Sequence, residues 1–157
     1  MKTLFLVLTL ILTTNTFAAS ATGNLGLSGN IADSVNLTVT PSANATNLTL
    51  TSNATDVNVA SVNEVSNAQN GYQILARSAN AGKLVHSSDT AYYINYTMKY
   101  NGGSAVTLTG SDQQVKTVAG GNYNVNSAVT VSFTGVSSST HKSGNYTDTI
   151  TFTIQSL

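Results

Sequence analysis

The side chains that most often act as general bases or metal ligands are sparse in this chain of 157 residues. There is no cysteine, and the two histidines, His86 and His141, lie far apart in serine-rich, turn-like sequence. The six acidic residues occur singly, at Asp33, Asp56, Glu64, Asp89, Asp112 and Asp148. A metal site needs several convergent ligands, and a catalytic histidine needs an orienting partner. We therefore expect no catalytic residue, no metal site and no cofactor, and we interpret both histidines as solvated loop residues.

Two further kinds of enzyme site have no counterpart in the sequence. Glycoside hydrolysis uses a pair of carboxylates, and no such pair stands out. A glycine-rich phosphate loop needs a following helix and a lysine, whereas Gly102-Gly103 and Gly120-Gly121 separate strand-like segments. We interpret these glycines as hairpin turns, and we expect neither an enzyme nor a small-molecule substrate.

The composition restricts the kinds of partner. Charged residues make up 8% of the chain and the formal net charge is zero, so nothing attracts nucleic acid or an anionic membrane electrostatically. Without cysteine there is no disulfide framework, and stability must come from the core, from strand pairing and from neighbouring subunits. Partners are then expected to be recognised by shape and hydrogen bonding.

The first eighteen residues are typical of an export signal. Lys2 supplies the positive start, Leu4–Leu12 is an apolar core, and Thr16-Phe17-Ala18 places small residues where a signal peptidase reads. We expect cleavage after Ala18, with Ala21 as the alternative. The apolar run is much shorter than the roughly 20 residues of a membrane-spanning helix. The sequence predicts a signal peptide over 1–18 and a protein that leaves the cytoplasm.

The rest of the chain alternates apolar and polar residues with a period of two, which is the pattern of half-buried β-strands. Turn-forming residues such as Asn70-Gly71 and Ser143-Gly144-Asn145 separate the runs. No segment after the export signal shows the apolar period of a helix, although Asp56–Asn70 is long enough to contain a helical turn. Roughly seven to nine short strands in a chain of this length predict an all-β fold, an antiparallel immunoglobulin-like sandwich spanning residues 34–157. The apolar positions of the predicted strands are Val35/Leu37/Val39, Leu48/Leu50, Val57/Val59, Tyr72/Ile74, Tyr92 to Tyr100, Val106/Leu108, Val129/Val131/Phe133 and Tyr146 to Ile154.

One alternating segment stands apart from the sandwich, between the export signal and the first domain strand. Leu25, Leu27, Gly29 and Ile31 share one face of this segment, and the other face carries small or polar residues. Such a strand must bury its apolar face against something. We therefore predict an N-terminal extension over residues 19–33 whose natural position is a groove.

Three segments resemble chaperone-usher pilins, especially the spore coat U group. The ending Gly144–Ile154, with its Gly-x-Tyr-x-Asp turn, resembles the closing pilin strand. The stretch Gln69–Ile74, followed by Ser78–Leu84 with its Gly-Lys-Leu turn, is similar to a pilin hairpin. The opening Leu25–Ile31 resembles the pilin N-terminal extension, a short alternating strand with a glycine near its end.

This resemblance implies an incomplete sandwich whose groove is filled by strand addition. A periplasmic chaperone would fill the groove first, an outer-membrane usher would assemble the subunits, and the extension of an identical or related subunit would fill it finally. Leu25, Leu27 and Ile31 would be the groove-filling side chains of the donor strand, with Gly29 at a constriction. The final strand and groove would be lined by Tyr146, Ile150, Phe152 and Ile154. The protein would pass through the periplasm and reach the cell surface as a fimbrial subunit in a homopolymer.

A second interpretation stays open on the sequence alone. Tyr92, Tyr93, Tyr96 and Tyr100 fall in one predicted strand and could supply aromatic contacts to a glycan or a protein. The protein would then be a self-contained secreted or periplasmic binding module, with Leu25–Ile31 folded back as its own first strand. Core packing is the simpler explanation for these tyrosines because aromatic residues suit strands in general.

Overall fold

A computed structural model describes residues 18–157, so almost all of the predicted signal peptide lies outside the described residues. A compact domain comprises Ala32–Leu157. The described residues contain nine strands, one short 3-10 helix at Ala43–Thr46 and no α-helix. None of their helices is long and apolar enough to cross a membrane. The strands are β1 Val35–Pro41, β2 Ala54–Ser66, β3 Tyr72–Ser78, β4 Lys83–His86, β5 Tyr93–Tyr100, β6 Gln113–Val118, β7 Tyr123–Phe133, β8 Tyr146–Thr147 and β9 Ile150–Ser156.

The strands form two antiparallel sheets, which confirms the predicted all-β sandwich. The larger sheet has the order β1-β2-β7-β5-β4-β8, and the smaller sheet has the order β6-β3-β9. Alternation builds the core between them, because every second side chain of β2, β3, β5 and β7 points inward. Tyr72, Ile74, Met98 and Val129 are almost completely buried there.

Several predicted elements differ from the observed ones. The region after Asp56 contains no helical turn, because β2 continues to Ser66 through two register irregularities. Leu48 and Leu50 lie outside any strand, and Val106 forms only an isolated bridge to Met98. Strands β4 and β6 are additional; β6 has the mixed sequence QQVKTV, which lacks a clean apolar alternation.

The predicted closing strand is two strands in different sheets. Tyr146–Thr147 pairs with β4 in the larger sheet, whereas Ile150–Ser156 pairs with β3 in the smaller one. Asp148 holds the corner between them, since its carboxylate accepts hydrogen bonds from Ser78 Oγ at 2.5 Å, Tyr96 Oη at 2.6 Å and Asn80 N at 3.0 Å. The chain therefore changes sheets at Asp148.

Candidate functional site

An apolar groove of about 280 Å³ opens between the first and last strands of the domain. We call it the edge groove. Val39 and Pro41 of β1 line one side and Ile150 and Phe152 of β9 line the other. Its base is mainly apolar and is formed by residues that include Leu48, Val59, Ala60, Leu84, Val129 and Val131.

The β1 rim of the edge groove presents unpaired backbone groups. Asn67 N donates to Ser34 O at 3.1 Å and Ser42 N donates to Val59 O at 2.9 Å, in the same register as the β1–β2 pairing. In an antiparallel pair both backbone groups of a residue point to the same side, and successive residues alternate. The backbone groups of Val35, Leu37 and Val39 therefore point away from β2, where no strand of the described chain pairs with them.

The β9 rim has the same property. Ala79 N donates to Thr149 O at 2.9 Å and Leu157 N donates to Gly71 O at 3.0 Å, so the odd-numbered residues face β3. The backbone groups of Ile150, Phe152 and Ile154 therefore point toward the open edge, and their half-buried side chains pack on the core. Among the described residues, no backbone group bonds to this edge. The groove thus combines an apolar base with two rims of free donors and acceptors.

The N-terminal segment, residues 18–31, belongs to a unit separate from the domain and contains no helix or strand. The predicted donor residues Leu25, Leu27 and Ile31 are 84%, 88% and 86% exposed. A Cβ added at Gly29 would have nothing within 4 Å, so the described chain contains no contact there that requires a glycine. This segment therefore exposes the apolar side chains of its alternating sequence.

The four tyrosines considered as ligand contacts have different environments. Tyr96 and Tyr100 point into the core, where their hydroxyls donate to Asp148 and to Glu64. Tyr92 precedes β5 and is half-buried against His141, with ring centroids 6.2 Å apart. Tyr93 is the one exposed member of the four, at 42%, and Lys83 Nζ lies 4.5 Å from its ring centroid. They do not form one aromatic surface.

Tyr146 lies away from the β9 rim and packs against His86. The position of His86 differs from the one predicted from the sequence. His86 is not a solvated loop residue: it ends β4, is only 4% exposed, and packs edge-on against Tyr146 at 5.0 Å between ring centroids. Its Nδ1 accepts from Ser88 N at 3.3 Å, so Nε2 carries the proton and donates to Ser143 O at 3.1 Å. A Cβ at Gly144 would collide with the His86 ring. The Gly-x-Tyr-x-Asp turn is therefore the packing site of this histidine.

Replacing His86 by glutamine is expected to lower the free energy of unfolding by roughly 1–3 kcal/mol, because glutamine cannot reproduce both ring hydrogen bonds in a buried site. His141 is half-exposed, so His141→Gln is the matched control and should change stability by less than about 0.5 kcal/mol. Urea unfolding of both variants measures the difference. Equal stability of the two variants would contradict the structural role of His86.

A buried charged cluster joins the two sheets, and the sequence analysis did not identify it. Glu64 of β2 is fully buried and accepts hydrogen bonds from Tyr72 Oη at 2.6 Å, Tyr100 Oη at 2.7 Å and Ser127 Oγ at 2.5 Å. Lys116 Nζ lies 2.8 and 3.0 Å from the two carboxylate oxygens. Every described buried side-chain polar atom has a hydrogen-bond partner. Glu64 lies two residues after the buried Val62 in β2, so the alternation predicts that its side chain also points inward. This is the one sequence signal for the buried cluster.

The electrostatics of this cluster keep Glu64 ionised. Burial is the largest influence and would raise the pKa of Glu64, but the hydrogen bonds from Lys116, Ser127 and the two tyrosines together lower it below its ordinary value of 4.5. Burial, followed by the hydrogen bond to Glu64, raises the pKa of Tyr72 and of Tyr100 far above 10.0. The cluster is a satisfied cross-sheet ion pair.

Within the described residues, no group of three or more histidine, aspartate or glutamate side chains could hold a metal ion. Comparison with protein-family models and with curated proteins finds no match to this chain. The geometry of the edge groove is therefore the basis of any functional proposal.

Proposed function

We propose that this protein is a structural subunit of a bacterial surface fibre or coat, polymerised by donor-strand exchange. The N-terminal extension of one copy, residues 19–33, fills the edge groove of the next. The observation that carries the proposal is the edge groove itself, an apolar cleft with unpaired backbone groups on both rims. Exposed strand edges of this kind are ready templates for pairing with another chain.

Backbone pairing supports a strand as the occupant. Val35, Leu37 and Val39 on one rim and Ile150, Phe152 and Ile154 on the other offer donors and acceptors with the two-residue spacing of a β-ladder. One inserted strand would pair with both rims and would join the two sheets at their open side. A compact ligand could not satisfy two parallel rows of backbone groups.

Side-chain pattern supports the extension as that strand. Leu25, Leu27 and Ile31 would face the apolar base together, and Gly29 would occupy a position without a side chain. Their burial would remove three exposed aliphatic side chains from water. Each would stabilise the assembled state by roughly 1.5–3 kcal/mol. The opposite face, Asn24 to Asn30 at every second position, would remain in contact with water.

Insertion requires the rims to separate. Some Cα atoms of β1 and β9 lie within 8 Å of one another. Two strands that flank a third lie roughly 10 Å apart, so parts of the groove must widen by on the order of 2 Å. The edge groove is thus narrower before the donor strand enters.

An open apolar groove is an aggregation hazard before assembly, and this supports the involvement of assembly factors. A periplasmic chaperone would cover the groove after export, and an outer-membrane usher would coordinate its replacement by the next subunit. Identical subunits are the simplest partners because one chain contains both the donor sequence and the acceptor groove. The assembled protein would lie at the cell surface.

The alternative of a self-contained binding module has less support. That interpretation placed ligand contacts on four tyrosines. Two of them, Tyr96 and Tyr100, are buried and cannot contact a ligand at the surface. The other two tyrosines have separate neighbours, since Tyr93 lies beside Lys83 and Tyr92 lies beside His141.

The oligomeric state of the mature chain tests the proposal. The full-length mature protein, which starts at Ala19, is expected to form a ladder of long-lived multimers. A chain that also lacks residues 19–31 is expected to remain monomeric. When it is mixed with the mature protein, it is expected to cap the multimers. Size-exclusion chromatography with native mass spectrometry measures both. A well-folded full-length monomer that forms no multimers would favour the self-contained module.

A further inference from the structure

A shallow surface depression of about 460 Å³ lies beside Ser34, near the start of the domain. We call it the exit patch. It is lined by uncharged residues from the start of the domain, from the end of β2 and from around the start of β7, which include Ser34, Val65, Asn67, Asn122, Tyr123 and Asn124. Val65, on the outer face of β2, is 37% exposed.

The exit of the chain beside this patch is held firmly. Asn67 Oδ1 accepts from Ser34 N at 2.6 Å, and Asn67 Nδ2 donates to Ala32 O at 3.2 Å. Asp33 Oδ1 accepts from Gln69 N at 3.4 Å. The domain backbone is therefore fixed from Ala32 onward, and Ile31 is the residue directly before it.

The short junction limits the distance between successive subunits. Three residue steps separate Ile31 from Ser34, and an extended chain covers at most about 3.6 Å per residue. A neighbour that holds Ile31 in its edge groove must then lie within about 11 Å of Ser34, which lines the exit patch. No flexible linker is present that could keep the two domains apart.

We infer that the exit patch is a second contact between copies of this chain, covered by the subunit that accepts the extension. This inference rests on the proposed function and adds a domain-to-domain surface to the strand exchange. The absence of charge in the patch allows two copies to meet without repulsion or unpaired buried charge. Val65 and Tyr123 would supply its apolar contacts, and Asn67 positions the chain that brings the neighbour to them.

Single-cysteine variants test the inference, because the chain has no cysteine of its own. Val65→Cys and, as a second variant, Asn122→Cys probe the exit patch. Ala128→Cys is the control. Ala128 is exposed on β7, four residues after Asn124 of the exit patch. The rate of maleimide modification is measured by mass spectrometry for each variant, both in full-length multimers and in the monomer lacking 19–31.

Both patch variants are expected to react at least about tenfold more slowly in multimers than in the monomer, while Ala128→Cys reacts equally in both. Multimers in which the patch cysteines react at the monomer rate would overturn the second contact and leave strand exchange intact. Full-length protein that forms no multimers would overturn the proposed function and this inference with it.

Discussion

Replacing Glu64 by alanine is expected to lower the free energy of unfolding by roughly 3–5 kcal/mol, the scale for breaking a buried ion pair from one side. The variant leaves Lys116, Tyr72, Tyr100 and Ser127 without their common acceptor. Such a loss is a large fraction of the total stability of a small domain. Urea unfolding of the chain lacking 19–31 measures the loss without interference from assembly.

The exposed ion pair between Arg77 and Asp112, at 3.3 Å, provides the matched control. Asp112→Ala should cost less than about 1 kcal/mol, because solvent screens this pair. A Glu64→Ala variant as stable as Asp112→Ala would contradict the view that the buried cluster holds the two sheets together.

The same cluster predicts the pH dependence of stability. The pKa of Glu64 is lower in the folded chain, so its contribution is present above 4.5 and is lost as the pH falls through the folded value. The pKa values of Tyr72 and Tyr100 are raised, so their contribution is present below 10.0 and declines as the pH rises above it. Glu64→Gln should weaken the acid dependence, which unfolding curves at several pH values would measure.

Replacing Leu27 by aspartate is expected to abolish long-lived multimers. A carboxylate at that position would be buried without a partner in the edge groove, at a cost of several kcal/mol. Replacing Gly29 by a large residue should slow or block assembly, because the proposed donor strand would then carry a side chain into the constriction that the pilin resemblance implies. Chromatography of the mature variants measures the loss, and their domains should remain folded because the extension precedes Ala32.

Ser28→Asp is the control for Leu27→Asp, since Ser28 lies on the opposite face of the donor strand. Its carboxylate would remain in water, so multimers should form as in the unaltered protein. If both aspartate variants assemble equally well, the extension does not enter the groove with this alternation.

The alternation of residues was sufficient to predict the fold class and much of the core. Val35, Tyr72, Ile74, Val129 and Phe133 lie in strands as expected, because period two requires a buried face whatever the partner strand is. Strands β4 and β6 were missed because hydrogen bonding to neighbours, rather than an apolar pattern of their own, places them in the sheets.

Less of the edge groove could be predicted from the sequence. Ile150, Phe152 and Ile154 could be assigned to an inward face, but their position at an open edge depends on sheet order, which alternation does not encode. The separation of Tyr146 from β9 depends on three hydrogen bonds to Asp148 from residues distant in sequence. The burial of His86 and Glu64 likewise depends on tertiary partners.

Amide hydrogen exchange at the two rims tests the central claim most directly. The chain lacking 19–31 is mixed with a synthetic peptide spanning residues 21–33, with the Leu27→Asp peptide as control. The account predicts that the amides of Leu37, Val39, Phe152 and Ile154 exchange at least about tenfold more slowly with the unaltered peptide only, because each gains a backbone partner. Unchanged exchange at these amides under saturating peptide would contradict strand insertion into the edge groove.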